Sequence, residues 1–496
     1  MAKQKSDKKV SSQATKTSHK LPPPHLLATP KDNAQSYQKL AIVIASYNIP
    51  IVYLKKCIES VLNQTNPNLE LIFVENGSTK KEARAVIYDY AKQDSRITIL
   101  QKEVNHCLSA GLNAAILYLK DAYALEFSTK DSTDTLACFE ITNANPYGVK
   151  LYKSKDSFKH DSKTHSQSDF ILNAPKVSHI AFMDSDDFWK PNFLETCFDA
   201  IGNADIAWCN SDTFYEHSGI PQDYKSTLEL LHFHAEPSQV ITPKDFFERM
   251  IALNFRAFWW SWCGIINFEF FDSAYISLIP QSTHDDNNFG ILLFLQARKI
   301  RTIPEPIYTR TLRSGSGSNY DGKYYKEQIP GFFQNVLSAL NDDVHLTQEV
   351  FRYVGGYFVG YLELRDFIAN HPNFPNIDLM QRAVMSFYSN MYLNFLFLDH
   401  SKSVDTDTYF TICFNIIFHL LENFKKGAYA IEPFKDLGDP RVIKTKERAR
   451  AIQFAKDMLY LENSHIVRLN QEKQALQNAL VQAQERIKML ESMLVK

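Results

Sequence analysis

The chain of 496 residues has no long apolar run. Its longest, Tyr409 to Leu421, is broken by Asn415 and His419, well short of the roughly 20 residues a spanning helix needs. The opening stretch MAKQKSDKKVSSQATK has no apolar core, so it does not read as a secretory leader. The seven cysteines are odd in number and far apart, and they form no CxxC pair or Cys/His cluster of zinc spacing. They read as small core residues in a reducing compartment, and the expected location is cytoplasmic, with peripheral contact at the inner membrane. Charge of one sign is also missing: 54 Lys and Arg face 56 Asp and Glu, a formal net charge of −2. That balance excludes nucleic acid as the main partner. No Gly-rich loop bearing Lys or Arg follows the first apolar run, where a nucleotidyltransferase would want one.

What remains is an ordinary globular composition, 45% hydrophobic and 22% charged, with 13% aromatics. The length calls for two or three domains. Residues 1–39 carry eight lysines against two aspartates and read as a disordered basic tail. Leu40–Ala45 is continuously apolar, as a buried parallel strand should be. A helical pattern follows with Leu54, Ile58, Val61 and Leu62 on one face. Strands over Leu69–Val74, Ile97–Leu100 and His179–Met183 then alternate with helices over Lys81–Gln93 and Leu108–Leu119. This rhythm predicts an α/β catalytic domain with a Rossmann-like doubly wound sheet over 40–319. Residues 121–178 are polar and turn-rich and read as an inserted surface loop or flap. Residues 320–450 are read as an α-helical domain. Residues 451–496 are read as a coiled coil, because Ile466, Leu469, Leu476, Leu480, Ala483, Ile487, Leu490 and Leu494 follow steps of three and four. A homo-oligomer through that segment is the corresponding expectation.

Ligands of doubly wound sheets bind beyond the carboxyl ends of the strands, and most of the polar motifs lie there. Asp184-Ser185-Asp186-Asp187 directly follows the strand HIAFM. Carboxylates at i and i+2 on such a turn can converge on one hard divalent cation. A nucleotide diphosphate needs that cation as its bond to a sugar breaks. Ser46, Tyr47 and Asn48 end the first strand, and Glu75, Asn76, Gly77 and Ser78 end the second. Glu75 can accept hydrogen bonds from a base or a ribose, and Gly77 permits the tight turn. Asp285 and Asp286 open an apolar helix, whose N-terminus favours the carboxylate anion that a general base must be.

In this order the motifs ASYN, VENGST, the Asn105–Asn113 pair, MDSDD and the acid pair before IPEPIY resemble family 2 glycosyltransferases of GT-A fold. The stretch Asn254–Phe271 is similar to bacterial surface-glycan galactosyltransferases of the Campylobacter and Helicobacter type. The resemblance implies a nucleotide-sugar donor, a UDP-sugar, and a glycan or lipid-linked glycan acceptor in surface polysaccharide or lipooligosaccharide synthesis. It implies a donor site of Ser46, Tyr47, Asn48, Glu75, Asn76, Asn105, Asn113, Asp184 and Arg313. Asp184 and Asp186 would hold Mn²⁺ or Mg²⁺ with the donor diphosphate, and Asp286, beside Asp285, would be the catalytic base of an inverting transfer. Trp259, Trp260 and Trp262 would meet the acceptor sugar. The chain departs from the family pattern at Asn76, Cys107, Leu112, Asp285 and Arg313. Arg313 stands where a histidine often completes the metal site, and its fork can grip a diphosphate instead. The competing reading is an inactive glycosyltransferase-like scaffold that works through the coiled coil.

Overall fold

A computed structural model describes residues 38–158, 170–316 except 236, 277 and 284, 324–385, and scattered positions between 387 and 419. The basic tail up to residue 37 and the heptad segment 451–496 lie outside the described residues.

The chain begins with β1 (Leu40–Ser46), α1 (Ile51–Leu62), β2 (Leu69–Asn76), α2 (Lys81–Gln93), β3 (Ile97–Lys102) and α3 (Cys107–Leu119). Every residue of β1 is buried. α1 turns Leu54, Cys57, Ile58 and Val61 inward, and α2 turns Ala83, Ile87 and Ala91 inward, at the i, i+4 spacing that stacks side chains on one face. Each fully buried large apolar side chain contributes roughly 1.5–3 kcal/mol.

Residues expected to form a flap instead build β4 (Leu125–Ser128), β5 (Leu136–Ile141) and β6 (Val149–Ser154). These three antiparallel strands extend the sheet beyond β3. Leu136 to Phe139 are buried, and Phe127 stacks on Phe170 with ring centroids 4.4 Å apart. Here the polar turns are conspicuous in the sequence, while the apolar pairs between them are short.

The core resumes with β7 (His179–Asp184), β8 (Phe188–Trp189), α4 (Phe193–Ile201), β9 (Ile206–Tyr215), α5 (Thr227–Leu230), β10 (Val240–Ile241), α6 (Pro243–Ala252), β11 (Gly264–Asn267), α7 (Phe268–Ser273), α8 (Asp285–Gln296) and β12 (Ile300–Leu312). The sheet runs in the order β10-β12-β9-β11-β7-β1-β2-β3-β6-β5-β4, with β8 paired to β12. The strands β7, β1, β2 and β3 are mutually parallel.

Beyond β12 lie α9 (Gln334–Ala339), α10 (Val344–Arg352), a π-helical turn Tyr353–Phe358, α11 (Val359–Asn370) and α12 (Ile377–Met380). This helical region shares one hydrophobic core with the sheet domain. It packs on α6 and on the segment around α8. The Thr283 amide donates to the Gly355 carbonyl at 3.2 Å, and buried Asn288 donates to Glu363 at 2.5 Å. At Gly360 a Cβ would come 2.7 Å from the Asn288 Oδ1, so a larger residue there would have to displace that side chain. Among the described residues no helix is long and apolar enough to cross a membrane.

Candidate functional site

Parallel pairing brings the strand ends to one rim. Ala45 lies beside Val74 of β2 and beside Asp184 of β7, and Ser46 lies beside Glu75. From β1 the sheet continues to β2 and β3 on one side and to β7 on the other, so the crevice between these directions is the expected ligand position. A cavity of about 450 Å³ lies there. Ser46, Tyr47, Asn76, Asn105 and Asp184 line it from the strand ends, with Asp286 from α8 and Arg310 from β12. Trp262 and residues of the helical region complete it.

Asp184 and Asp286 therefore share a cavity, as the strand-end motifs require. Burial pushes the Asp184 carboxyl up to about 7; the Asp186 charge adds to the rise, Arg310 opposes it, and Asp286 adds further. Burial likewise pushes Asp286 up to about 6 against the pull of Arg310. At neutral pH a carboxyl of that acidity is mostly ionised yet still basic enough to take a proton. The backbone fixes its place: the Asp286 carbonyl accepts from the Trp260 amide at 3.3 Å, and Oδ1 accepts from the Asn287 amide at 3.1 Å. Asp285 is the first residue of α8.

Arg310 was not among the residues singled out from sequence, although it lies two residues past the IPEPIY stretch, on the same strand β12. Its guanidinium lies 4.9 Å from the Tyr224 ring centre and 5.1 Å from that of Trp262, and it donates to the Tyr224 hydroxyl. Two aromatic rings against its guanidinium hold an arginine in place while leaving its charge effective.

The other acids are occupied. Asp186 Oδ2 is paired with Arg313 Nε at 2.7 Å, so Arg313 meets a carboxylate here. Asp187 is buried and accepts from the Tyr308 hydroxyl at 2.6 Å and from the Thr311 amide at 2.7 Å. It ties the acidic turn to β12. Glu75 is fully buried; its Oε1 accepts from the Ser78 amide at 2.7 Å and its Oε2 is paired with Arg84 at 3.1 Å. It braces its own turn and does not line the cavity.

The remaining predicted positions divide in the same way. Asn76 and Asn105 line the cavity and hold the start of α3, Asn76 donating to the Cys107 carbonyl at 2.9 Å and Asn105 accepting from the Cys107 amide at 2.7 Å. Asn48 accepts from the Thr79 and Lys80 amides, and Asn113 donates to the Leu278 carbonyl at 2.6 Å; both are braces outside the cavity lining. Gly77 has φ +76°, and a Cβ there would lie 2.7 Å from the Asn105 amide. Of the three tryptophans, Trp262 lines the cavity. Trp260 is a core residue instead, packed on Phe294 with its indole N–H donating to the Cys263 carbonyl at 3.2 Å. Trp259 packs on Phe255 outside the cavity lining.

Among the described residues no group of three or more His, Cys, Asp or Glu is placed to hold a metal ion. A cation that also binds donor phosphates needs only one or two protein carboxylates. Asp184, raised by burial and by like charges, is a carboxylate whose ionised form a cation would favour. Asp186 accepts from Arg313 through Oδ2 alone. This donor set fits Mg²⁺ or Mn²⁺.

Residues 41–127 match the model of glycosyl transferase family 2. The chain is 34% identical over 84 residues to an uncharacterized glycosyltransferase of Methanocaldococcus jannaschii, covering 17% of this chain and 29% of that protein. It is 21% identical over 274 residues to the uncharacterized glycosyltransferase EpsJ of Bacillus subtilis, covering 54% of this chain and 60% of that one. It thus spans less than two thirds of the length of either relative. Among solved structures it is similar to residues 1–349 of TarS from S. aureus in complex with UDP-GlcNAc, with 13% identity, a TM-score of 0.38, and coverage of 78% of this chain and 90% of that one. The likeness to glycosyl transferase family 2 thus lies on residues 41–127, around the first strands, and the similarity to the uncharacterized glycosyltransferase EpsJ extends over 54% of the chain.

Proposed function

We propose that the chain is an inverting glycosyltransferase that moves a sugar from a nucleotide diphospho-sugar, a UDP-sugar, to a hydroxyl of a glycan or lipid-linked glycan. Building a bacterial surface polysaccharide is the corresponding role. The observation that carries this reading is the placement of Asp184 and Asp286 in one strand-end cavity with Arg310.

Asp184 and Asp186 are the residues that would hold Mn²⁺ or Mg²⁺ together with the donor diphosphate. When bound, the cation neutralises the charge that gathers on the leaving diphosphate. Arg310 adds a fixed positive charge in the same cavity. Asp286 takes the proton of the acceptor hydroxyl as that oxygen forms its bond to the anomeric carbon. The bond from that carbon to the diphosphate oxygen breaks on the opposite face, and the anomeric configuration inverts. Full-length protein incubated with a panel of UDP-sugars should release UDP, and Asp286→Asn should lower turnover about 100-fold or more. Full turnover in that variant would defeat the assignment.

The ion pairs Asp186–Arg313 and Glu75–Arg84 favour a second reading, in which the fold is kept but catalysis is not. Titration calorimetry with UDP and Mn²⁺ separates the two, because a scaffold without a donor site shows no metal-dependent heat.

A further inference from the structure

The cavity has a second wall that comes from outside the sheet domain. Tyr324, Phe333, Glu349, Phe351 and Arg352 line it from the helical region, and Trp262 lies on the sheet-domain side. This wall is anchored to the helix that carries Asp286. The π-helical turn directly after α10 accepts a hydrogen bond from Thr283 through the Gly355 carbonyl. π-Turns of this kind are frequent at functional sites. Phe351, the penultimate residue of α10, is partly exposed and packs on Phe333 with ring centroids 5.0 Å apart and the planes tilted by 51°. Glu349 accepts from the Tyr324 hydroxyl through Oε1 at 2.6 Å, which orients its carboxylate at the cavity lining.

We infer that residues 324–352 form the acceptor subsite and that it takes a pyranose ring, with the ring's C–H face on Phe351 and its hydroxyls on Glu349 and Arg352. The inference rests on the glycosyltransferase reading and deepens it. If the donor occupies the strand ends at Asp184, the acceptor must approach Asp286 from another side, and this wall offers it aromatic faces beside polar ends. An aromatic face suits the apolar side of a sugar, while a carboxylate and a guanidinium suit its hydroxyls. The helical region is then part of the enzyme's specificity, and its sequence selects the acceptor sugar.

The test is equilibrium binding to the full-length protein, with UDP as the donor-side probe and p-nitrophenyl glycosides of glucose, galactose and N-acetylglucosamine as acceptor-side probes. Ligand-observed NMR reads the glycosides and calorimetry reads UDP. At least one glycoside should bind, and Phe351→Ala and Glu349→Gln should each weaken it by about five-fold while UDP affinity stays within about two-fold. Should Phe351→Ala fail to fold, Glu349→Gln, which keeps the shape of the side chain, carries the test. Binding of no glycoside, or equal binding in wild type and variants, overturns the proposal even when UDP binds. Absence of UDP binding in the wild type would instead remove the glycosyltransferase reading beneath it.

Discussion

At the residue scale, the carboxyls that face the cavity are held at a cost. Asp184 has its acidity shifted from 3.8 to about 7, chiefly by burial. Between these values the folded protein keeps a proton that the unfolded chain releases, so stability from this group is present at low pH and is lost as pH rises to about 7. An asparagine has no such titration. In EDTA, Asp184→Asn should therefore gain stability over wild type between pH 4 and pH 8, by on the order of 2 kcal/mol. Denaturant melts at the two pH values check this, and a constant difference would contradict it. Asp286 titrates at about 6, and a base must be deprotonated to act. Transfer should accordingly rise with pH through about 6 and level off above it, and Asp286→Asn should flatten that limb in whatever turnover remains.

At the element scale, the site depends on turns that hold strand ends to helix starts. Gly77 is the tightest of these, with a left-handed backbone and the Asn105 amide where a Cβ would sit. Gly77→Ala should destabilise the protein by roughly 1–3 kcal/mol and should weaken UDP binding as well, because Asn76 and Asn105 on either side of the contact both line the cavity. A thermal melt and a UDP titration read the two effects. The turn 184–187 shows how one motif divides its labour. Asp184 faces the cavity, Asp186 meets Arg313, and Asp187 is bonded to Tyr308 and Thr311 of β12. Asp187→Ala would leave the Tyr308 hydroxyl and the Thr311 amide buried without that partner, a cost of about 1–3 kcal/mol.

At the scale of the whole molecule, the helical region belongs to the body that carries the site. Glu363 and Asn288 are bonded inside the shared core, and truncation after residue 319 would expose that apolar surface. The shortened chain should be insoluble or degraded by a trace of protease that leaves the full chain intact. A stable soluble fragment would show instead that the sheet domain folds alone. The heptad at 451–496 predicts self-association, and light scattering of the protein before and after deletion from residue 460 measures it; a monomer in both would refute it.

Local pattern was enough to read the alternating strands and helices from Leu40 to Leu119 and the strand before Asp184, because burial of a whole strand or one helix face leaves a periodic trace. The same trace brought Asp184 and Asp286 forward, since acids at the ends of apolar elements stand out. Three matters depended on contacts between residues distant in the chain. Arg310 owes its place to Tyr224 and Trp262, 86 and 48 positions away by number. Glu75 and Asp186 are each paired with an arginine, and a sequence does not show which acids will be occupied in this way. The edge strands at 125–154 and the helical wall of the cavity take their roles from the surface they pack against. Periodicity reports what one element buries; only the assembled fold decides what each polar group faces.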